Sequence, residues 1–197
     1  MEARAPQQIS RDDLAALPIR RYEGEVCVVA TPAELERALA DILAEEVAGF
    51  DTETRPAFRK GESYLPSLAQ FATGRAVYLF QLQRQDFSAP MREILGAERT
   101  VKAGVSLADD LKSLAKLFAF EARSMLDVGV LARRHGLKQT GVRNLAGMLL
   151  GFRIPKGTKT SNWAAARLSP QQIQYAATDA WACRELLLVL RKLEAAR

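Results

Sequence analysis

From Gly24 to Ala30 the chain reads Gly-Glu-Val-Cys-Val-Val-Ala, a short β-branched run that predicts a strand. Thr31-Pro32-Ala33-Glu34 follows as a capping box with proline at the first helical position. Leu35, Leu39, Ile42 and Leu43 then recur along one face, so a helix is expected to about Glu46. Val47 to Thr54 reads as a second strand, apolar until it reaches carboxylates. Ser67–Ala72 and Ala76–Gln81 predict a hairpin around Thr73-Gly74.

The second half is more helical. Met91–Leu95 predicts a helix, and Thr100–Ala103 a short strand. Ser106–Phe118 carries Leu107, Leu111, Leu114 and Leu117 in helical register. Asp127–His135 and Val142–Leu150 are two further helices. Gly151–Arg167 holds Pro155 and Gly157 with no clean period, so a loop is expected. Ser169-Pro170-Gln171-Gln172 is a second capping box and opens a long helix to about Glu194. Residues 1–22 are weakly periodic and read as an N-terminal arm or short packed leader, before one domain over residues 23–197. Strands first and helices later imply a mixed α/β domain.

Composition narrows the class. The chain has 197 residues, 48% hydrophobic and 26% charged, which is ordinary for a globular protein and excludes disordered or collagenous chains. The aliphatic run Leu186–Leu190 is far short of the roughly 20 residues a membrane span needs. The first residues lack the apolar stretch of a signal peptide. Cys27 and Cys183 are too few for a disulfide framework and read as reduced, buried thiols, so the expected location is cytoplasmic.

Charge is informative in its distribution. Lys and Arg number 28 against 23 Asp and Glu, a net of +5. No acidic residue occurs from Val128 to Thr178, where eight bases lie: Arg133, Arg134, Lys138, Arg143, Arg153, Lys156, Lys159 and Arg167. Without those eight the balance is 20 bases to 23 acids, a net of −3. Such a segment attracts polyanions or forms an ordinary solvated face.

Phe50-Asp51-Thr52-Glu53-Thr54 ends the second strand. A period of two puts Asp51 and Glu53 on one face, where two carboxylates raise each other's pKa. Either water screens the pair at an open strand end, or a hard divalent cation lies between them. On the last helix, Tyr175 and Asp179 are four residues apart and project together, among the small residues Ala176, Ala177 and Ala180 that let a helix approach another backbone. Asp109-Asp110 sits early in a helix, where acidic residues are favoured by the macrodipole in any case.

These segments, with Lys102-Ala103-Gly104-Val105 before Asp110-Leu111 and Ser161-Asn162-Trp163 before Tyr175, resemble the tyrosine branch of the DEDD superfamily of 3′→5′ exonucleases. That group includes ribonuclease D and the exonuclease domain of the Werner syndrome protein. The likeness runs from about residue 24 to about 190. It implies a ribonuclease H-like fold, a mixed sheet flanked by helices in a single exonuclease domain. It implies Asp51, Glu53, Asp110 and Asp179 as ligands of two divalent cations, Mg²⁺ or Mn²⁺. Asp110 fits the family spacing better than Asp109. Tyr175 is implied as the residue that orients or deprotonates water.

The implied reaction is hydrolysis from a free 3′ end of RNA or DNA, releasing nucleoside 5′-monophosphates. Arg153, Lys156 and Lys159 are candidate phosphate contacts, Arg55 follows the first motif, and Phe58 is a candidate stacking residue or a packing residue. Trp163 is expected to pack its loop onto the sheet, Asp127 to cap its helix, and His135 to end one. Neither a membrane nor an obligate protein partner is expected. Two other readings compete: a non-catalytic nucleic-acid-binding module on the same fold, and a carboxylate nuclease that cuts internally.

Overall fold

Six strands form one mixed sheet in the order β1-β4-β3-β2-β5-β6. The structure is a computed structural model and describes residues 7–59, 61–157 and 161–195. The strands are β1 (Glu25–Val28), β2 (Val47–Thr54), β3 (Pro66–Ala72), β4 (Ala76–Gln81), β5 (Val101–Gly104) and β6 (Met125–Asp127). β2 is antiparallel to β3, and β3 to β4, whereas β1 runs parallel to β4, β5 to β2 and β6 to β5. The expected α/β sheet flanked by helices is therefore the observed one. β6 is an addition, because Met125–Asp127 is too short to show a period and runs directly into a helix.

Helices cover both faces. α1 (Arg11–Ala16) belongs to the leader, and α2 (Pro32–Ala44), α3 (Ser88–Gly96) and α4 (Leu107–Leu114) follow. Ala38, Ile42, Met91, Ile94, Leu107 and Leu114 from α2, α3 and α4 pack against Phe50, Phe71, Tyr78 and Phe80 in one apolar core. α5 (Val128–Arg134) and α6 (Val142–Leu145) come next, with α6 continuing into a wider π turn over Ala146–Leu150. The long α7 (Pro170–Ala195) crosses the other sheet face and sets Ala176, Ala177 and Ala180 on Leu68, Ala72, Val77 and Leu79.

Local chemistry sets these boundaries. The Thr31 hydroxyl accepts from the Glu34 backbone N–H, and the Glu34 carboxylate accepts from the Thr31 N–H, so the capping box closes as the sequence predicts. The second box closes likewise, Gln172 N–H donating to Ser169 Oγ and Ser169 N–H to Gln172 Oε1. Asp127 caps α5 by accepting from Val130 N–H at 3.0 Å. Its other oxygen accepts from Leu107 N–H at 3.2 Å, so one carboxylate ties together the starts of α4 and α5. Gly136, at φ +87°, follows His135 at the end of α5.

The leader is packed down. Lys138 N–H donates to Gln7 O, Arg153 N–H to Pro18 O, Arg20 N–H to Arg153 O, and Tyr22 N–H to the Thr178 hydroxyl. Leu14, Leu17 and Ile9 close over Gly147 in the π turn.

β2 and α7 meet backbone to backbone. A Cβ at Gly49 would lie 1.9 Å from the Ala180 carbonyl oxygen, so α7 rests directly on the strand. Arg184 fastens the same junction, donating to Val47 O and to the Glu45 carboxylate. Only glycine on the strand and small residues on the helix allow this approach.

Candidate active site

β2 carries Gly49, Asp51 and Glu53 on the face covered by α7. The backbone contact at Gly49 lowers α7 onto that face and brings Asp179 down beside the strand carboxylates. Ligand oxygens of Asp51, Glu53 and Asp179 all lie within 4.8 Å of one another. Glu53 and Asp179 are buried, and Asp51 is half-buried. Burial pushes the Asp51 carboxyl well above its ordinary value, and the negative charges of Asp179, Glu53 and Asp110 push it further. The screened, open strand end is therefore not what the fold builds.

Asp110 arrives from α4. It is half-buried, whereas Asp109 is exposed. The Thr52 hydroxyl donates to Asp110 Oδ1 at 2.5 Å, across the edge of β2. Burial raises the Asp110 pKa, opposed by that hydrogen bond. The turn into α4 passes through Ser106 at φ +61°, an uncommon conformation for a residue with a side chain.

Tyr175 lies one helical turn before Asp179 and hydrogen-bonds to it. Burial raises its pKa well above the ordinary phenol value, with Asp179 and Glu53 adding to the shift. Trp163 is fully buried with its ring centroid 6.0 Å from that of Tyr175, so it packs the loop as expected. Gln172 Nε2 holds the Trp163 segment to α7 by donating to Ser161 Oγ and Asn162 O. A Cβ at Gly157 would fall 1.6 Å from Tyr175 Cδ2, so the Pro155–Gly157 backbone lies against the ring.

The other candidates are placed less centrally. Arg55 is exposed, its guanidinium 4.7 Å from the Tyr64 ring centroid. Phe58 is 76% exposed, which removes the packing alternative. Lys156 is exposed beside Tyr175. Arg153 is turned toward the leader, its Nε donating to Leu17 O. Lys159 lies outside the described residues. His135 stands away from the cluster, near Glu194.

Gln70 went unnoticed in the sequence. It pairs directly opposite Asp51 and shares its face, yet it is fully buried. Among the described residues neither amide atom has a hydrogen-bond partner. The sequence shows Gln70 only as one of two polar residues, with Ser67, inside an otherwise apolar strand. An unsatisfied buried amide costs about 1–3 kcal/mol. Gln70→Leu is therefore expected to melt a few degrees higher in metal-free buffer, at about 2–4 °C per kcal/mol for this size. A lower melting temperature by calorimetry would show that the amide is satisfied.

Comparison with known proteins agrees with this arrangement. A family model described as 3′-5′ exonuclease matches residues 26–194. Ribonuclease D of Haemophilus influenzae is 33% identical over 152 residues, 75% of this chain and 37% of that protein. The exonuclease mut-7 homolog of Aedes aegypti is 26% identical over 206 residues, 92% of this chain and 28% of that protein. The chain thus spans about a third of the length of these relatives. Among solved structures, the Aedes aegypti Nibbler EXO domain superposes with a TM-score of 0.79 at 22% identity, covering 92% of this chain and 94% of that one. The family match spans the sheet, α4 and α7, and so takes in every carboxylate of the cluster. The chain belongs to the 3′-5′ exonuclease family.

Proposed function

We propose that this chain is a metal-dependent 3′→5′ exonuclease that releases nucleoside 5′-monophosphates from the 3′ end of a nucleic acid. The observation that carries the reading is the cluster of Asp51, Glu53 and Asp179, bordered by Asp110. Four carboxylates supply about −4, the charge that matches two divalent cations, and their oxygens are the hard donors Mg²⁺ or Mn²⁺ prefers. Asp51, Glu53 and Asp179 would hold one ion, and Asp51 with Asp110 the other. Bound there, the ions would supply Lewis-acid stabilisation of the attacking and leaving oxygens.

The chain's own residues do the positioning. Thr52 holds Asp110 by one oxygen and leaves the other for coordination. Tyr175, whose phenol ordinarily keeps its proton at neutral pH, is placed beside Asp179 to orient water by hydrogen bonding. Phe58, exposed beside the first motif, offers a face on which a terminal base stacks. Lys156 is placed to meet a phosphate near Tyr175, and Arg55 and Lys159 are candidates for the same role. The free, buried Cys27 and Cys183 fit a reducing compartment such as the cytoplasm. No helix among the described residues is long and apolar enough to cross a membrane.

Tyr175→Phe is expected to lower kcat about 100-fold with little change in KM, because one hydroxyl is lost and the ring still packs. An unchanged kcat would reduce Tyr175 to a packing residue. The reading itself is tested by the chemistry of the product. A strand labelled in its last nucleotide should release a nucleoside 5′-monophosphate with Mg²⁺ or Mn²⁺ and nothing in EDTA. A 3′-monophosphate, or release without metal, would overturn it.

A further inference from the structure

Two recesses meet at Pro155 and Lys156. The first, of about 270 Å³, lies beside Tyr175 and includes Arg21. The second, of about 770 Å³, runs on between α1 and α6 and includes Arg11, Arg143 and Arg153. Pro155 and Lys156 line both, so the two recesses adjoin and together form a cleft that reaches from the tyrosine of the candidate active site to the leader helix. Among the described residues, five cations line it and no acidic residue does. Asp12 and Asp13 stand in the first turn of α1 but do not line the recess.

The state of these cations matters more than their number. Among the described residues, the arginines paired with carboxylates are Arg37, Arg75, Arg123, Arg184 and Arg191, all outside the cleft. None of the five cations of the cleft has an anionic partner among those residues. Arg143 and Arg153 donate only to backbone carbonyls, of Ile154 and Leu17, and so are fixed in place with their charge unspent. Two of the five, Arg11 and Arg21, come from the leader, which lies before the matched residues 26–194. The leader's hydrogen bonds to Lys138, Arg153 and Thr178 hold those two charges against the domain.

We propose that the leader completes the path of a single-stranded nucleic acid, whose phosphodiester backbone runs from Tyr175 along this cleft toward α1, upstream of the 3′ end. This rests on the exonuclease reading for its direction. A recess suits one strand, since grooves that track a single backbone are positively charged and open. A duplex is instead read by elements that project into its grooves. Among the described residues Tyr175 is the single aromatic lining the cleft, so contacts upstream of it are to phosphate and independent of base sequence.

The test is binding of labelled oligothymidylates of roughly 4 and roughly 12 nucleotides, measured in EDTA over a range of salt. Arg21 borders Tyr175, so Arg21→Gln should weaken both lengths at low salt. Arg11 lies at the far end, so Arg11→Gln should weaken only the longer strand. Each should lower the slope of log K against log salt by about 0.7. Arg11→Lys and Arg21→Lys should restore the slope, and Arg75→Gln, outside the cleft, should change neither the slope nor the rate of single-turnover cleavage. Slopes parallel to wild type, or equal loss for both lengths in Arg11→Gln, would overturn the path. Cleavage by a protein with parallel slopes would leave the exonuclease standing without it. Lost slopes in a protein that does not cleave would keep the path and remove the exonuclease.

Discussion

Asp51→Asn should abolish cleavage and at the same time make the metal-free protein more stable. Losing a residue that merely supports a metal ligand costs up to about 100-fold, so loss of a central ligand should cost more than that. Asp179→Asn should lose activity to the same extent. The stability gain follows from the Asp51 pKa, which burial and three neighbouring carboxylates raise. An acid that binds its proton more tightly when folded favours the fold fully only below its unfolded value, near 3.9. That advantage is lost as pH rises through the folded value, because the charge must then be held buried beside other anions. Asparagine carries no such charge. The melting temperature of Asp51→Asn should therefore exceed that of wild type in EDTA, and the gap should widen as pH rises above about 4. Mg²⁺ or Mn²⁺ should stabilise the wild type and not the variant. Activity retained in the variant, or a gap that closes as pH rises, would contradict the assignment.

Asp110→Asn should cost about 100-fold or more in kcat, and Asp109→Asn no more than about twofold, the size of an ordinary surface change. Adjacent helical residues point about 100° apart. Asp110 faces the cluster and is held by Thr52, whereas Asp109 faces solvent. Thr52→Val should give an intermediate loss, because it frees the carboxylate without removing it. Equal sensitivity at 109 and 110, measured by single-turnover kinetics, would mean that α4 presents a different face.

The parts of this site readable from the sequence were those set by local periodicity. Period two puts Asp51 beside Glu53, and a helical turn puts Tyr175 beside Asp179. The string of alanines around Asp179 announced a close backbone approach, which Gly49 completes. Neither spacing could bring Asp110 in, because its place depends on the β5–α4 turn and on Asp127 bridging two helix starts. Only the family resemblance singled it out. Gln70 was hidden because β3 is buried along its whole length, so a polar residue there disturbs no amphipathic pattern. β6 and α1 escaped because three and six residues are too few to show a period. Arg153 reads as a loop residue, and the sequence does not show that its guanidinium is anchored by Leu17 O, a partner 136 residues away, which fixes it along the cleft.

Direction and end-dependence of cleavage test the account most directly. Single strands labelled at the 5′ end, and the same strands closed into circles, should be incubated with Mn²⁺ and sampled over time. The account predicts a ladder that shortens by one nucleotide at a time from the 3′ end, and circles that stay intact. Internal cuts, nicked circles, or shortening from the 5′ end would contradict it.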